Sequence, residues 1–190
     1  MDDDGELVAR ARAGERAAYE ALVRAHHSAA CRMAWVSGAG ADAEDVVQES
    51  FVRAFGALGS FRPGAAFRPW LLRIVVNQTR NLHRSRLRLA GVLGRVAALR
   101  ESWEEIASAA EPPAAMLLAE RHRVLWAALS GLADKDRQVL GCRYLLDMSE
   151  AETAAVLGWP RGSVKSRSTR ALARLRERIA PVVGEVRDHA

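Results

Sequence analysis

The sequence predicts an all-α fold of two small helical domains joined by a linker, and three features support that prediction. Apolar residues recur at helical spacing along most of the chain, glycine and proline cluster in short stretches, and alternating β-branched runs are absent. Its 190 residues, 49% hydrophobic and 27% charged, are enough for two small folded domains. We expect domains at 1–88 and 114–180, a linker at 89–113 and a tail at 181–190.

The first domain is predicted to begin with two helices over residues 4–37, which end at "SGAGADAED". A third helix begins near Asp42, and Asp42 with Asp45 resembles an N-terminal capping pair. After the loop "GSFRPGAAFRP", Pro69 suits the first turn of a fourth helix. Along the third helix, apolar residues at i, i+4, i+7, i+8 and i+11 predict a buried stripe: Val47, Phe51, Ala54, Phe55 and Leu58.

The fourth helix, "FRPWLLRIVVNQTRNLHR", has two chemically different faces. At 100° per residue one face is apolar and is the predicted core face, with Leu71, Leu72, Val75, Val76 and Leu82. The opposite face places Trp70 within about 20° of Asn77, flanked by Arg73, Arg80 and Arg84. A tryptophan in a polar, basic line either closes the edge of the core or contacts a binding partner.

Basic charge is concentrated in two blocks, although the net charge is only +5. From Ser50 to Arg100 there are ten arginines and no Asp or Glu, and a second block covers residues 161–178. Acidic segments precede and follow the first block. Two separate basic blocks favour two binding places for a polyanion, and nucleic acid is the obvious candidate.

A helix-turn-helix is predicted within "SEAETAAVLGWPRGSVKSRSTRALARLR". Ala154 occupies the position where two helices cross, and Gly158 can adopt the left-handed conformation that a tight turn needs. Leu157, Trp159 and Val164 supply the apolar contacts between the helices. A plain helical hairpin is the alternative, but the motif coincides with the second basic block, which favours DNA binding.

Two segments together resemble a known family. "DAEDVVQESFVRAFGALGSFRPGAAFRPWLLRIVVNQTRNLHR" resembles region 2 of bacterial RNA polymerase sigma factors of the small, extracytoplasmic-function (ECF) kind. "LSGLADKDRQVLGCRYLLDMSEAETAAVLGWPRGSVKSRSTRALARLRER" resembles region 4 of the same proteins. The resemblance implies an alternative sigma factor of the sigma-70 family, which binds core RNA polymerase and directs promoter-specific transcription initiation.

The resemblance also implies roles for individual residues. Core polymerase, with its β′ and β subunits, is the implied partner. Its β′ clamp helices would contact the third helix at Asp42, Asp45, Gln48 and Glu49. The −10 promoter element would be bound and held open by Arg53, Phe61, Arg62, Phe67, Trp70, Arg73, Asn77, Arg80 and Arg84. The −35 element would lie against the second helix of the helix-turn-helix, at Arg161, Ser163, Lys165, Ser166, Arg167, Arg170 and Arg174.

These residue types suit those roles chemically. Trp70 offers a stacking surface to an unpaired base, and Asn77 with the loop backbone near 61–67 can hydrogen-bond to its edge. The arginines suit phosphates. Ser163 can also cap the recognition helix. The chain departs from the family at Ser168 and Thr169, where relatives usually carry larger apolar side chains, and in the linker.

Other sites and activities find little support in the sequence. His27 and Cys31 are spaced i, i+4, but no second cysteine follows, so we interpret them as ordinary helix residues and expect no metal or other cofactor. Cys31 and Cys142 lie far apart and are expected to be reduced thiols. No phosphate loop, nucleophile elbow or carboxylate pair is present, so we expect no enzymatic activity, and the chemistry would belong to the polymerase.

The expected location is the cytoplasm. The N-terminus is acidic without the apolar segment of a signal peptide, and the apolar runs are too short to enter a membrane.

An anti-sigma protein is an expected partner. Two other functions remain as alternatives. A stand-alone helix-turn-helix regulator would need only residues 114–190, and a nuclease would need clustered metal-binding acids. A stable complex with core polymerase is expected of a sigma factor and of neither alternative.

Overall fold

The computed structural model describes residues 3–93 and 125–187, and every regular element within them is helical, as the sequence predicts. The N-terminal domain contains α1 (Asp3–Arg12), α2 (Arg16–Val36), α3 (Ala43–Ala57) and α4 (Phe67–Leu93). The C-terminal domain contains α5 (residues 125–130), α6 (Asp134–Leu140), α7 (Glu150–Leu157) and α8 (Arg161–Arg187). Residues 94–124, which include most of the predicted linker and the predicted start of the second domain at 114, lie outside the described residues.

Three short turns connect or extend these helices. The 3₁₀ turns Gly40–Asp42 and Leu58–Ser60 flank α3, and a π-helical turn, Gly141–Leu145, continues α6. None of the described helices combines the length and the apolar character that a membrane span requires.

The N-terminal domain has its core between α2, α3 and α4. The predicted apolar face of α4 is confirmed at Leu71, Leu72, Val75 and Val76, which are fully buried, while Leu82 is half-buried. Burying each such side chain contributes roughly 1.5–3 kcal/mol, so this face fixes the rotation of α4 about its axis. The opposite, polar face of the helix must therefore point outward.

The predicted stripe of α3 is correct except at Phe55, whose residue remains 55% exposed. Phe55 lies about 80° from Val47 at 100° per residue, at the margin of the stripe. Val46 and Ser50 occupy the opposite margin and are buried instead. The Phe55 ring contacts Tyr19 edge-on, with 4.9 Å between centroids, and so covers the rim of the core.

Both capping predictions were wrong, and backbone geometry explains each. Asp42 precedes α3, but it belongs to a 3₁₀ turn with φ −84° and ψ 10°, whereas a capping side chain needs an extended backbone. Its carboxylate accepts a hydrogen bond from Arg86 of α4 instead. Ser163 lies inside the first turn of α8, because that helix begins at Arg161.

A cap that the prediction missed begins α7. The Ser149 hydroxyl accepts from the Glu152 backbone N–H, and the Glu152 carboxylate accepts from the Ser149 N–H at 2.8 Å, which completes a capping box. The Ser149 hydroxyl also donates to the Glu152 carboxylate at 2.7 Å, and this hydrogen bond, with that from the Ser149 N–H, holds the pKa of Glu152 below its usual value. The signal was present in the sequence as Ser-x-x-Glu before an apolar run.

The helix-turn-helix prediction is confirmed in its geometry. Gly158 ends α7 with φ +71°, a left-handed conformation that side chains disfavour. Ala154, Leu157 and Val164 are buried between α7 and α8, and Trp159 is half-buried beside them. This packing sets the direction in which α8 leaves the turn.

The two domains pack directly against each other, with α7 on α4 and the π-helical turn on α2. At Gly141 the backbones approach closely, since a Cβ there would lie 2.7 Å from a Val36 methyl group. The Arg137 guanidinium donates to the Val36 carbonyl oxygen at 2.8 Å. The Cys142 sulfur lies 3.8 Å from that of Met33. The domains therefore share a continuous core in this conformation.

Candidate nucleic-acid interface

The polar face of α4, defined as Trp70, Arg73, Asn77, Arg80 and Arg84, lies at the surface as predicted. Its four polar residues are exposed, while Trp70 is half-buried. The Arg84 guanidinium donates to the Asn81 side-chain oxygen at 2.6 Å. Within the described residues Arg80 makes no hydrogen bond or ion pair. Within the described residues, the arginines of this face therefore bond to neutral oxygen atoms or to no partner.

Trp70 belongs to an aromatic cluster at the start of α4. Its ring lies 5.0 Å from the Phe61 ring and 5.6 Å from the Phe67 ring, centroid to centroid. Phe61 and Phe67 are buried, so their side chains form core contacts, and the exposed part of the cluster comes from Trp70. The tryptophan thus closes the edge of the core while leaving part of its ring accessible.

The remaining predicted −10 residues lie outside α4. Arg62 is exposed in the loop between α3 and α4. Arg53 is exposed on α3, where its guanidinium donates to the Glu49 carboxylate at 2.8 Å. Such an exposed i, i+4 pair contributes only about 0.3–0.5 kcal/mol, so Arg53 can exchange it for another anion at small cost.

The second predicted surface lies on α8, where its residues divide into two groups. Arg161, Ser163, Lys165, Ser166 and Arg170 are exposed. Arg167 and Arg174 instead bind one carboxylate, that of Asp136 on α6, which is only 1% exposed. The Arg167 guanidinium also lies over the Trp159 ring, 5.4 Å from its centroid. Two of the seven predicted −35 residues therefore neutralise a buried acid.

Asp136 is a structural residue that sequence reasoning missed. A signal was available, because Asp136 precedes Val139 and Leu140 by three and four residues and so shares the buried face of α6. A carboxylate on a buried face needs a cationic partner. The sequence does not show which of the many arginines supplies it.

The departure from the family at Ser168 and Thr169 has a simple structural outcome. Ser168 is buried, and its hydroxyl donates to the Val164 carbonyl oxygen at 2.8 Å, one turn earlier. Thr169 is exposed and donates in the same way to Lys165 at 3.1 Å. Both hydroxyls are therefore satisfied by carbonyl oxygens of α8 itself.

The predicted polymerase-binding residues form an acidic edge along α3. Asp45, Gln48 and Glu49 are exposed, whereas Asp42 is half-buried against Arg86. An open groove between α3 and α4 brings the acids next to the amide side chains of α4, and its lining includes Asp42, Asp45, Glu49, Gln78 and Asn81. The structure adds Arg86 as a residue that positions Asp42.

One end of the α4 polar face contacts the C-terminal domain. The Arg73 guanidinium lies 3.5 Å from the Ala155 carbonyl oxygen on α7. Nearby, Arg68 donates to the Leu146 carbonyl oxygen at 2.7 Å. Arg73 thus contacts the helix-turn-helix in this conformation, while Asn77, Arg80 and Arg84 remain accessible.

Comparison with known proteins identifies both domains. Residues 18–89 match sigma-70 region 2, and residues 128–177 match sigma-70 region 4. The ECF RNA polymerase sigma-E factor of Salmonella typhimurium strain LT2 is 32% identical over 184 residues, covering 95% of this chain and 96% of the relative. The RNA polymerase sigma-H factor of Pseudomonas aeruginosa is 30% identical over 190 residues, covering 97% and 98%.

Two solved structures have the same fold. CnrH, solved in complex with the cytosolic domain of CnrY, matches with a TM-score of 0.70 and 32% identity, over 95% of this chain and 99% of that one. The sigma factor RpoE of Bartonella quintana, solved with the anti-sigma factor NepR, matches with a TM-score of 0.65 at 23% identity, over 85% and 96%. With regions 2 and 4 present in order and relatives matched over nearly their whole length, this chain belongs to the ECF subfamily of the sigma-70 family and is an alternative sigma factor.

Proposed function

We propose that this sigma factor binds core RNA polymerase through the acidic edge of α3 and contacts promoter DNA through two surfaces, the α4 polar face at the −10 element and α8 at the −35 element. The observation that carries the proposal is the α4 polar face, where an accessible tryptophan edge lies in line with Asn77 and three arginines. Packing against Phe61 and Phe67 accounts for the buried part of the tryptophan ring. Its accessible part can stack on an unpaired base, because each exposed base has a stacking surface.

At the −10 element the roles divide by chemistry. Trp70 stacks on an unpaired base or on the last base pair, which contributes about 1–3 kcal/mol per base. Asn77 presents a donor and an acceptor to one base edge. Arg80 and Arg84 contact phosphates, which are sequence-independent contacts. Burial of Phe61 and Phe67 supports a role in holding the loop backbone and Trp70 in place rather than direct side-chain contact.

At the −35 element, the exposed residues of α8 enter the major groove, with Lys165, Ser166 and Arg170 nearest the bases. Arg167 and Arg174 share Asp136, so each contributes less net positive charge to the DNA than an unpaired arginine. We assign these two residues mainly to holding α8 on α6, with phosphate contact as a second role.

The closed packing of the domains bears on how the promoter is recognised. The names of the two elements place their centres about 25 base pairs apart, which is about 85 Å along B-form DNA. With Arg73 of α4 against Ala155 of α7, the two DNA-binding surfaces cannot lie that far apart. Binding to core polymerase therefore has to separate the domains, and the free chain should bind promoters poorly.

The remaining assignments follow from the same proposal. Residues 1–88 act as the polymerase-binding and DNA-melting part, 89–113 as the linker, and 114–180 as the −35-binding part, all in the cytoplasm. We assign no catalytic step to this chain, since the polymerase synthesises the RNA. An anti-sigma protein is the proposed regulator, as the sequence resemblance implies. Among relatives, CnrH forms a complex with the cytosolic domain of CnrY.

Run-off transcription with purified core polymerase, on DNA from upstream of the protein's own gene, tests the proposal. We expect specific transcripts and a stable one-to-one complex with the core enzyme. Reversing charge at Asp45 and Glu49 to arginine should weaken that complex without unfolding the chain, because both side chains are exposed. Tight, sequence-specific DNA binding by the free chain with no polymerase complex would instead favour the stand-alone regulator.

A further inference from the structure

Packing of α3 against α2 brings three potential metal ligands together away from the α4 and α8 DNA-binding surfaces. His27 and Cys31 lie one turn apart on α2, and Glu44 lies in the first turn of α3. The His27 Nε2 lies 3.0 Å from a Glu44 carboxylate oxygen, and the Cys31 sulfur lies 3.5 Å from the other oxygen. The Cys31 sulfur is 3.9 Å from the same His27 nitrogen.

These separations resemble the edges of a metal coordination tetrahedron. Zinc binds sulfur at about 2.3 Å and nitrogen or oxygen at about 2.0–2.2 Å, so tetrahedral angles place neighbouring ligand atoms about 3.4–3.6 Å apart. The three observed distances lie within about 0.4 Å of that range, with His27 and Cys31 approaching different oxygens of Glu44. One ligand atom from each residue lies within 4.8 Å of the other two, so a small side-chain movement would bring a single oxygen into place. In the metal-free protein these contacts are hydrogen bonds, with the Cys31 thiol donating to the Glu44 carboxylate. Together they hold a thiol, an imidazole and a carboxylate at distances that one metal ion can bridge.

We propose that His27, Cys31 and Glu44 bind one divalent transition-metal ion of the zinc type, with water in the fourth position. A thiolate, an imidazole and a carboxylate together suit Zn²⁺ or Co²⁺ and disfavour Mg²⁺ and Ca²⁺, which prefer oxygen ligands. The His27 and Glu44 side chains are 43% and 56% exposed, so an ion has a path of entry and a water has room at the open position.

The surroundings hold the ligands and set the chemistry of binding. The His27 ring lies parallel to the buried Phe51 ring, at 3° and 6.4 Å, which restricts its rotation. Binding replaces the thiol proton of Cys31 by a metal–sulfur bond and releases that proton to solvent, with no change in oxidation state.

A bound ion would tie α2 to α3 and so stabilise the N-terminal domain. The sequence offers only the two ligands of α2, and the third comes from the fold. Glu44 also adjoins Asp45 of the acidic edge, so the site lies next to, but apart from, the residues assigned to polymerase. The inference does not depend on promoter recognition.

Cobalt and zinc titration of the untagged, metal-free full-length chain tests the site, with a phosphine reductant keeping both thiols reduced. We expect one Co²⁺ per chain, the absorption of tetrahedral cobalt, and a thiolate-to-cobalt charge-transfer band that Zn²⁺ abolishes by displacement. Zinc should also raise the melting temperature of the wild type. Cys31→Ser should lose the band, and His27→Gln and Glu44→Gln should weaken binding by about tenfold or more.

Two matched variants serve as controls. Cys142→Ala removes the other thiol, which is buried against Met33, and should keep the band. Glu20→Gln removes an exposed acid of α2 and should bind metal as the wild type does. Failure of the wild type to bind either ion at micromolar concentration would overturn the proposal. So would a band that survives Cys31→Ser, or octahedral cobalt without a charge-transfer band. If Cys31→Ser proves unstable, unchanged affinity in both His27→Gln and Glu44→Gln would overturn it equally.

Discussion

The two proposed DNA-binding surfaces of this sigma factor use their arginines differently. On the α4 polar face and within the described residues, Arg80 has no anionic partner and Arg84 bonds only to the neutral Asn81. On α8, Arg167 and Arg174 converge on the buried Asp136. Basic residues that look alike in sequence therefore divide into charge that is free to bind DNA and charge that already stabilises the fold. The division depends on whether a neighbouring helix presents a carboxylate.

The largest expected effect concerns Trp70 of α4, because α8 has no aromatic residue. Trp70→Ala should leave closed-complex formation intact and slow or abolish open-complex formation, because no other accessible aromatic ring lies on the α4 polar face. Permanganate footprinting of holoenzyme–promoter complexes measures this. Ile74→Ala is the matched control, since Ile74 is half-buried near Trp70 but cannot stack on a base. Equal melting defects in both variants would show that Trp70 serves only the core edge.

Asp136→Asn tests the structural half of the comparison. The substitution keeps the side-chain shape but leaves Arg167 and Arg174 without their anion, and should lower the free energy of unfolding by about 1.5–3 kcal/mol. Urea denaturation measures this. Asp134→Asn, on the same helix, removes an exposed acid paired with Arg137 and should cost at most about 1 kcal/mol. If both variants lost equal stability, the buried cluster would have no special role.

Asn77→Ala tests base recognition on α4. Loss of its amide should cost about 1–3 kcal/mol on the preferred −10 sequence and relax the preference at one base position. Transcription from a library of −10 variants, compared with wild-type holoenzyme, measures this. The exposed position of Asn77 makes a folding defect unexpected. If the base preference were unchanged at every −10 position, a residue other than Asn77 would have to recognise the base.

The smallest effect compares one arginine from each helix. Arg84→Ala should weaken all promoters alike and reduce the salt dependence of holoenzyme binding by about one unit of slope. Arg174→Ala should change the salt slope less, because Asp136 already offsets part of its charge, and should lower stability instead. Binding measured across a salt series, with thermal melts of both variants, checks the pair. A larger slope change for Arg174→Ala would reverse the assignment of free and structural charge.

Local sequence patterns determined much of the secondary structure and of the exposed surfaces. The core face of α4, its opposite polar face and the left-handed Gly158 turn all follow from spacing within one helix or one turn. Helical periodicity shows which residues share a face, and a glycine shows where the backbone can adopt a tight turn. Both depend only on neighbours along the chain, so they can be predicted without knowledge of the rest of the fold.

Contacts between helices were decided only by the tertiary structure. Asp136 meets Arg167 and Arg174, Glu44 meets His27 and Cys31, and Arg73 meets the carbonyl oxygen of Ala155. Periodicity does not show which helix covers a given face. It also does not show how that helix is rotated about its axis or shifted along it. Those are settled by the shape of the whole core, such as the close approach of Gly141 to Val36, which no local pattern encodes.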